Sequence, residues 1–484
     1  MFVFVLVLAF VLVLAFVLVF RGMAHVGGPR YRRAMTSTAL TALAERFGDR
    51  LVLPGDAAYD EARAPWNRAV DQRPAAVASP RDVDELRALL EAARADGLQL
   101  AVQPGGHGAS GSLERAVLLR TVHFDTVEVD AERRVARVGA GVGWGRVLAA
   151  LEGTGLVALS GSNRVVHTVP FLLAGGHSWF SREHGQGSAS LLAVELLTAD
   201  GEHRWVRDAD DPELLWALRG AGGAFGVVTA VELELYPARE LVGGRLAFDG
   251  AELRPVLQAA LAAQAAAPRE VALHAGAMRL PDVEAVPAEL RGRTIVTVQA
   301  VSTDGAEALE AVLAPVRATG TVQLDTIAPI GIEQLAVVAD EPTEPSAGYG
   351  WGRFADLDAD GLDALLDTWQ SPAGQAIMLI EFRGLGGALA ESPERPAIAG
   401  AVPHAHVVSA RAVAVPGIEP AVQAGFAAIA AALGEQVTER TFATFLEGEP
   451  SYLGAYDRAD VERADAVRRR LDPEGRFRGN RVFV

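Results

Sequence analysis

The sequence contains neither cysteine nor lysine. Lacking cysteine, the chain can form no disulfide, thiolate nucleophile, iron–sulfur cluster or cysteine-ligated zinc site. Lacking lysine, it has no amine for a Schiff base, which removes ordinary pyridoxal-phosphate chemistry, and no Walker-type phosphate loop. All 44 basic side chains are arginines, set against 61 acidic ones, for a formal net charge of −17. That balance provides no basic face of the kind nucleic acid requires. The partner it suits is a small molecule.

What is present is globular. Half of the 484 residues are hydrophobic and 22% are charged, enough for two or three domains with sizeable cores. Residues 1–20 are almost wholly Phe, Val, Leu and Ala in repeating units. The run is long enough to span a bilayer. No basic residue precedes it, as one would in a secretory signal; Arg21, Arg30, Arg32 and Arg33 follow it instead. Three readings stay open: translated upstream sequence with Met35 as the true start, a membrane anchor, or an unusual export signal. Residues 1–34 are left out of the expected fold. A cytoplasmic protein is expected, with a membrane partner or export only if residues 1–20 act.

From Met35 the pattern is regular. Residues 74–78 and 98–102 read as strands around a helix that Ser79-Pro80-Arg81-Asp82 starts and Gly97 stops. Strands are expected near 118–121, 126–129, 134–138, 191–198 and 227–235, with helices over 142–151 and 211–218. Between about 240 and 438, candidate strands at 271–280, 294–301, 376–382 and 407–415 alternate with Ala-rich helices. That is the pattern of an antiparallel sheet with helices on one face.

After the strand at 98–102 comes Gln103-Pro104-Gly105-Gly106-His107-Gly108-Ala109-Ser110-Gly111. Its glycines free the backbone for positive φ and close approach to a ligand, and successive N–H groups in such a turn can form a nest for a diphosphate. The loop is not a dinucleotide-binding fingerprint, because G-x-G-x-x-G is missing and no helix follows directly. By itself it could equally be a plain turn.

Other motifs follow in order: Ser160-Gly161-Ser162, Ala174-Gly175-Gly176-His177-Ser178, Thr198-Ala199-Asp200-Gly201, and the run from Leu214 through Arg219-Gly220-Ala221-Gly222-Gly223-Ala224-Phe225-Gly226 to Thr229. Glu381-Phe382-Arg383-Gly384 and Arg470-Leu471-Asp472-Pro473-Glu474-Gly475 lie further on. Taken together they resemble the FAD-linked oxidoreductases of the vanillyl-alcohol-oxidase, PCMH type, and in particular the berberine-bridge-enzyme-like branch. The resemblance covers most of residues 50–484. It implies an α+β fold: a PCMH-type FAD-binding domain of two α+β subdomains over 35–239, a substrate domain with a helix-covered antiparallel sheet over 240–438, and a segment over 439–484 that returns to the FAD domain.

The resemblance also implies roles. The cofactor is FAD, with His107 as the expected covalent attachment point. Pro104, Gly105, Gly106, Gly108 and Ala109 would cradle it, joined by Gly161, Ser162, Asn163, Val166, Gly175, Gly176, Ser190, Gly226 and Val228. Ser162 is expected to give its hydroxyl to the diphosphate. A second anchoring cysteine of many members is replaced by Asn163, so any covalent link is single. Gln103 stands where the family has Arg, and Ala189 with Ser190 where it has Asp.

His167 and Pro170 replace two glycines that normally pack on the flavin. Because Pro fixes φ and has no N–H, the loop there is expected either to have re-formed with His167 near the flavin or to be damaged. His167 and Glu381 are the candidate catalytic residues, with Arg383 beside the latter. The family's C-terminal tyrosine position holds Phe445, after Thr444; Tyr452 and Tyr456 are near in sequence. His177 with His184 makes no complete metal set. His404 and His406 alternate on an expected strand, facing either the substrate cavity or solvent.

The expected activity is hydride transfer from a small alcohol, sugar or amine to flavin N5, with O2 as the final acceptor. The alternative from a different class is a binding or sequestering protein on the same scaffold.

Overall fold

A computed structural model describes residues 38–483, apart from Ser112 and Ala285. The apolar run 1–20, the arginines after it and Met35 lie outside the described residues. Among the described residues no helix is long and apolar enough to cross a membrane.

The first sheet has the order Leu51–Val52, Ala76–Ala78, Ala116–Leu119, Gln99–Val102, its last three strands parallel. The helix Val83–Ala95 crosses between two of them. Asp82 caps it by accepting from the Glu85 N–H at 2.8 Å. Leu86, Leu89, Leu90 and Ala93 form its buried stripe at helical spacing. Pro80 lies before the helix, not inside its first turn.

The second sheet is antiparallel, in the order Val127–Asp130, Val135–Gly139, Val227–Glu234, Leu191–Leu197, His203–Arg207. It shares a core with the helices Trp144–Leu151, Pro212–Ala221 and Arg458–Leu471, through Trp144, Leu148, Leu214 and Val461. Burying each such side chain is worth about 1.5–3 kcal/mol. Tyr452, Tyr456 and Phe483 join this core from the end of the chain.

The third sheet is the largest and wholly antiparallel. Its order is Leu324–Asp325, Val242–Asp249, Thr294–Ser302, Val271–Arg279, Leu379–Gly384, His406–Val413, Gly348–Ala355. Helices Leu253–Ala266, Ala306–Arg317, Ala359–Gln370 and Glu419–Leu433 pack on one face, in a core that includes Leu273, Ala275, Ile380, Phe382, Val408 and Ala410. The helix-covered sheet read from the sequence is therefore present.

Three of its strands were not anticipated: the two-residue Leu324–Asp325 and two longer ones. Val242–Asp249 carries Gly243 and Gly244, and Gly348–Ala355 carries Gly348, Gly350 and Gly352. Glycine is disfavoured in strands, so neither segment reads as one. Packing explains the second. A Cβ at Gly352 would stand 3.3 Å from the Phe445 ring, and one at Gly350 would strike the Glu447 carboxylate.

Candidate active site

The glycine loop after Gln99–Val102 is held from outside by its carbonyls. Gly105 accepts from the Trp66 N–H at 2.8 Å and Gly106 from the Asn67 N–H at 3.3 Å. Gly108 accepts from Asn480 Nδ2 at 2.7 Å, and the Arg120 guanidinium donates to the Gln103 carbonyl at 2.8 Å. The N–H groups of Gly105, Gly106, His107 and Gly108 find no acceptor among the described residues. Carbonyls turned to the protein and four successive free N–H groups make an anion nest. Gly106 takes φ +88°, which favours glycine.

His107 stands inside this loop. Its ring lies on Trp66, centroids 4.3 Å apart and 16° from parallel. Burial, then the neighbouring His167, lowers its pKa to about 4, so the imidazole is neutral at pH 7. His167 is likewise lowered to about 4, first by burial and then by Arg120. Both rings approach Gly105: an added Cβ would be 3.0 Å from His167 Nδ1 and 3.5 Å from His107 Nδ1.

The segment in which His and Pro replace two glycines is ordered as a short helix, Thr168–Leu173. His167 precedes it, its carbonyl accepting from the Phe171 N–H. Pro170 falls in the first turn, where no intrahelical N–H is needed. His167 lies beside His107 across Gly105.

Do these residues suit FAD? The nest does. So do buried polar atoms that lack any protein partner: Gln103 Nε2, His107 Nε2, Ser160 Oγ, His167 Nδ1, Thr168 Oγ1 and Ser188 Oγ. Buried donors and acceptors are rarely left unsatisfied, and a ligand rich in phosphate and ring heteroatoms answers this set.

The other expected cofactor-contact residues have the following protein partners. Ser162 gives its hydroxyl to Glu341 Oε1 at 2.5 Å, and Asn163 donates to the Pro342 carbonyl at 2.9 Å. These two side chains hold a crossing segment of the chain. Gly161 has the Phe171 ring 2.9 Å from where its Cβ would be, and Gly176 abuts the same ring. Gly175 makes room for Gln186, and the carbonyls of Gly175 and Gly176 accept from Ser188 and Gly187. The glycine pair is thus a packing turn. Ser190 spends its hydroxyl on the Gly187 carbonyl at 2.7 Å. Gly226 packs on the Leu197 carbonyl, and Val228 pairs with Leu196 inside the sheet. The Val166 carbonyl accepts from the Trp144 N–H. Short motifs do not reveal which side chain will fill a bare backbone, and Phe171 is the decisive one here.

The face of the large sheet away from its helices carries a polar patch. Glu381 and Arg383 alternate with the core residues Ile380 and Phe382, and pair across the sheet with Ser409 and Val407. Glu381 Oε2 accepts from Arg383 Nε at 2.9 Å and lies 3.5 Å from Ser409 Oγ. Arg383 also sits over the Phe445 ring, 5.3 Å from its centroid. Arg411 donates to Glu447 at 2.6 Å, and that carboxylate raises its pKa. Several contacts tie the large sheet and its loops to the rest of the chain, among them Asn67 donating to the Gly348 carbonyl at 3.1 Å, the Ser162–Glu341 hydrogen bond and the stacking of His274 on Trp179.

The remaining candidates serve the framework. Tyr452 and Tyr456 donate to the Gly222 and Gly220 carbonyls at 2.9 and 2.8 Å. His404 precedes its strand and pairs with Asp356 at 3.0 Å, while His406 accepts from the Leu357 N–H. Neither faces a substrate space. His184 stacks on Tyr236 and His177 lies beside Phe442, far apart in role. Sequence reading missed Trp66, Arg120, Asn480 and His274. Only His274 left a signal: on the strand Val271–Arg279 it takes the face opposite Leu273 and Ala275.

Residues 74–207 match the family model described as FAD binding domain. The chain is 28% identical over 453 residues to (R)-6-hydroxynicotine oxidase of Paenarthrobacter nicotinovorans, covering 89% of this chain and 95% of that protein. In fold it is similar to the moss protein Physcomitrella patens BBE-like 1, with a TM-score of 0.75 at 16% identity over 92% of this chain and 99% of the other. Carbohydrate oxidase from Microdochium nivale gives the same TM-score of 0.75 at 16% identity, again over 92% and 99%. These likenesses favour an enzyme over a sequestering protein. With the free N–H groups of the glycine loop, they make the chain an FAD-dependent oxidoreductase that acts on a small molecule, with a fold similar to that of a berberine-bridge-enzyme-like protein.

Proposed function

We propose that the enzyme is an oxidase that dehydrogenates a small amine, with Glu381 as proton acceptor, His107 as the covalent tether of FAD and O2 as the final electron acceptor. When bound, FAD supplies the hydride acceptor at N5 and the route for electrons to oxygen. The chain's own residues do the rest. The N–H groups of Gly105 to Gly108 hold negative charge, and the neutral imidazole of His107 is a competent nucleophile.

The observation that carries the reading is the geometry of Glu381. One carboxylate oxygen is held by Arg383 and faced by Ser409, and the other, Oε1, has no hydrogen-bond donor. A fixed carboxylate with one free oxygen on a polar sheet face is placed to take the proton of a substrate ammonium or hydroxyl. His167 is poorly suited to that task, because protonation would put an imidazolium in a buried site near Arg120. The amine class rests on Glu381 and on the likeness to a nicotine oxidase across nearly the whole chain.

The test is a visible spectrum before and after acid precipitation, followed by oxygen uptake on cyclic amines and on oligosaccharides. Flavin in the pellet that moves to the supernatant in His107→Ala supports the tether. Uptake with amines only supports the substrate class. Uptake with sugars only would overturn it.

A further inference from the structure

Beneath Glu381 lies a second histidine that nothing above uses. His274 sits on Val271–Arg279, directly paired with Arg383 of the neighbouring strand. It is buried, and its ring stacks on Trp179 with centroids 3.8 Å apart and 17° from parallel. The His177 ring lies 5.7 Å away. Neither nitrogen of His274 has a hydrogen-bond partner. Its Nδ1 is 3.9 Å from Glu381 Oε1, the oxygen that Arg383 leaves free.

A neutral imidazole carries one N–H, and a buried donor without a partner is costly. The charged groups around the ring are Glu381 and Arg383, and His177 completes the titratable set. Arg383 and burial both keep His274 neutral. Of these neighbours, only Glu381 Oε1 can accept strongly from Nδ1–H.

We infer that His274 is a positioning residue: in its Nδ1–H tautomer it donates to one lone pair of Glu381 Oε1 and aims the other at the substrate proton. This rests on Glu381 being the proton acceptor. A hydrogen bond to the charged form of an acid lowers its pKa. Losing it is expected to move the acid limb of the activity profile upward.

The test uses the flavin-loaded enzyme and three variants. Asn places its amide nitrogen where Nδ1 was, Gln places it where Nε2 was, and Phe keeps only the stacked ring. His274→Phe and His274→Gln are expected to move the acid limb of kcat/KM upward by about one pH unit, a roughly tenfold loss on that limb, with KM at high pH unchanged. His274→Asn should keep the wild-type limb. If His274→Phe does not fold, the Gln and Asn pair decides the point. A readout independent of turnover is 15N NMR of histidine-labelled protein, in which the signal missing from His274→Asn should show the Nδ1–H tautomer. An Nε2–H tautomer, or an unmoved limb in His274→Gln, would overturn the inference. Full activity in Glu381→Gln would instead overturn the reading on which it rests.

Discussion

His107 and His167 meet over Gly105, each with its Nδ1 within 3.5 Å of the place a Cβ would take there. The glycine is what lets two neutral imidazoles share one wall of the site. Gly105→Ala should therefore displace the His167 ring. The flavin-to-protein absorbance ratio is expected to fall, with FAD bound about tenfold more weakly, about 1.4 kcal/mol. Equilibrium binding of FAD to the His107→Ala protein, with and without Gly105→Ala, measures this.

Glu381→Gln and His167→Ala separate the two candidate bases. Removing a general base typically costs about 10²–10⁴ in rate. That loss is expected in kcat for Glu381→Gln, at unchanged flavin content. His167→Ala should lose no more than about tenfold. Stopped-flow reduction under anaerobic conditions reads both, and the opposite ranking would reverse the assignment.

The buried histidines set an acid limit on stability. His107, His167 and His406 are lowered to about 4 and His177 to about 3, each mainly by burial. The unfolded chain takes up protons near pH 6.5 that the native protein refuses. Stability is thus full above about 6.5 and is lost as pH falls through 4 and then 3, at about 1.4 kcal/mol per pKa unit per group. The melting temperature should be level from pH 8 to 7 and drop steeply below 6. His406→Asn should make that drop shallower.

Ser162 and Asn163 hold the crossing segment at Glu341 and Pro342. Glu341→Ala should cost about 1 kcal/mol, since the carboxylate is only partly buried. Faster amide hydrogen exchange over residues 340–347, with the FAD content retained, would show that this contact closes the site and does not bind the cofactor.

How far the sequence alone leads varies with the element. The helix Val83–Ala95 was legible because a cap, an apolar stripe and a stopping glycine all act locally. The strands around Ile380 and Val408 were legible through alternation. Gly348–Ala355 was not, because its glycines answer to Phe445 and Glu447, nearly a hundred residues away. The same holds for the site. The glycine loop and His107 were visible as a motif, while Trp66 on that histidine and Asn480 on that loop were not.

The sequence by itself determined the chemistry available: no thiol, no lysine amine, an acidic chain, a glycine-rich nest with one histidine, and a carboxylate on an alternating strand. Those follow from residue type and short-range spacing. Only the tertiary structure decided which of those groups are free. Ser162 is occupied by Glu341, the glycine pair at 175–176 is a packing turn, Pro170 is harmless in a first helical turn, and one oxygen of Glu381 is left open beside His274. The reason is physical. Hydrogen bonds, burial and charge act over a few ångströms of space, and the partners that satisfy or spare a side chain come from strands and loops far away along the chain.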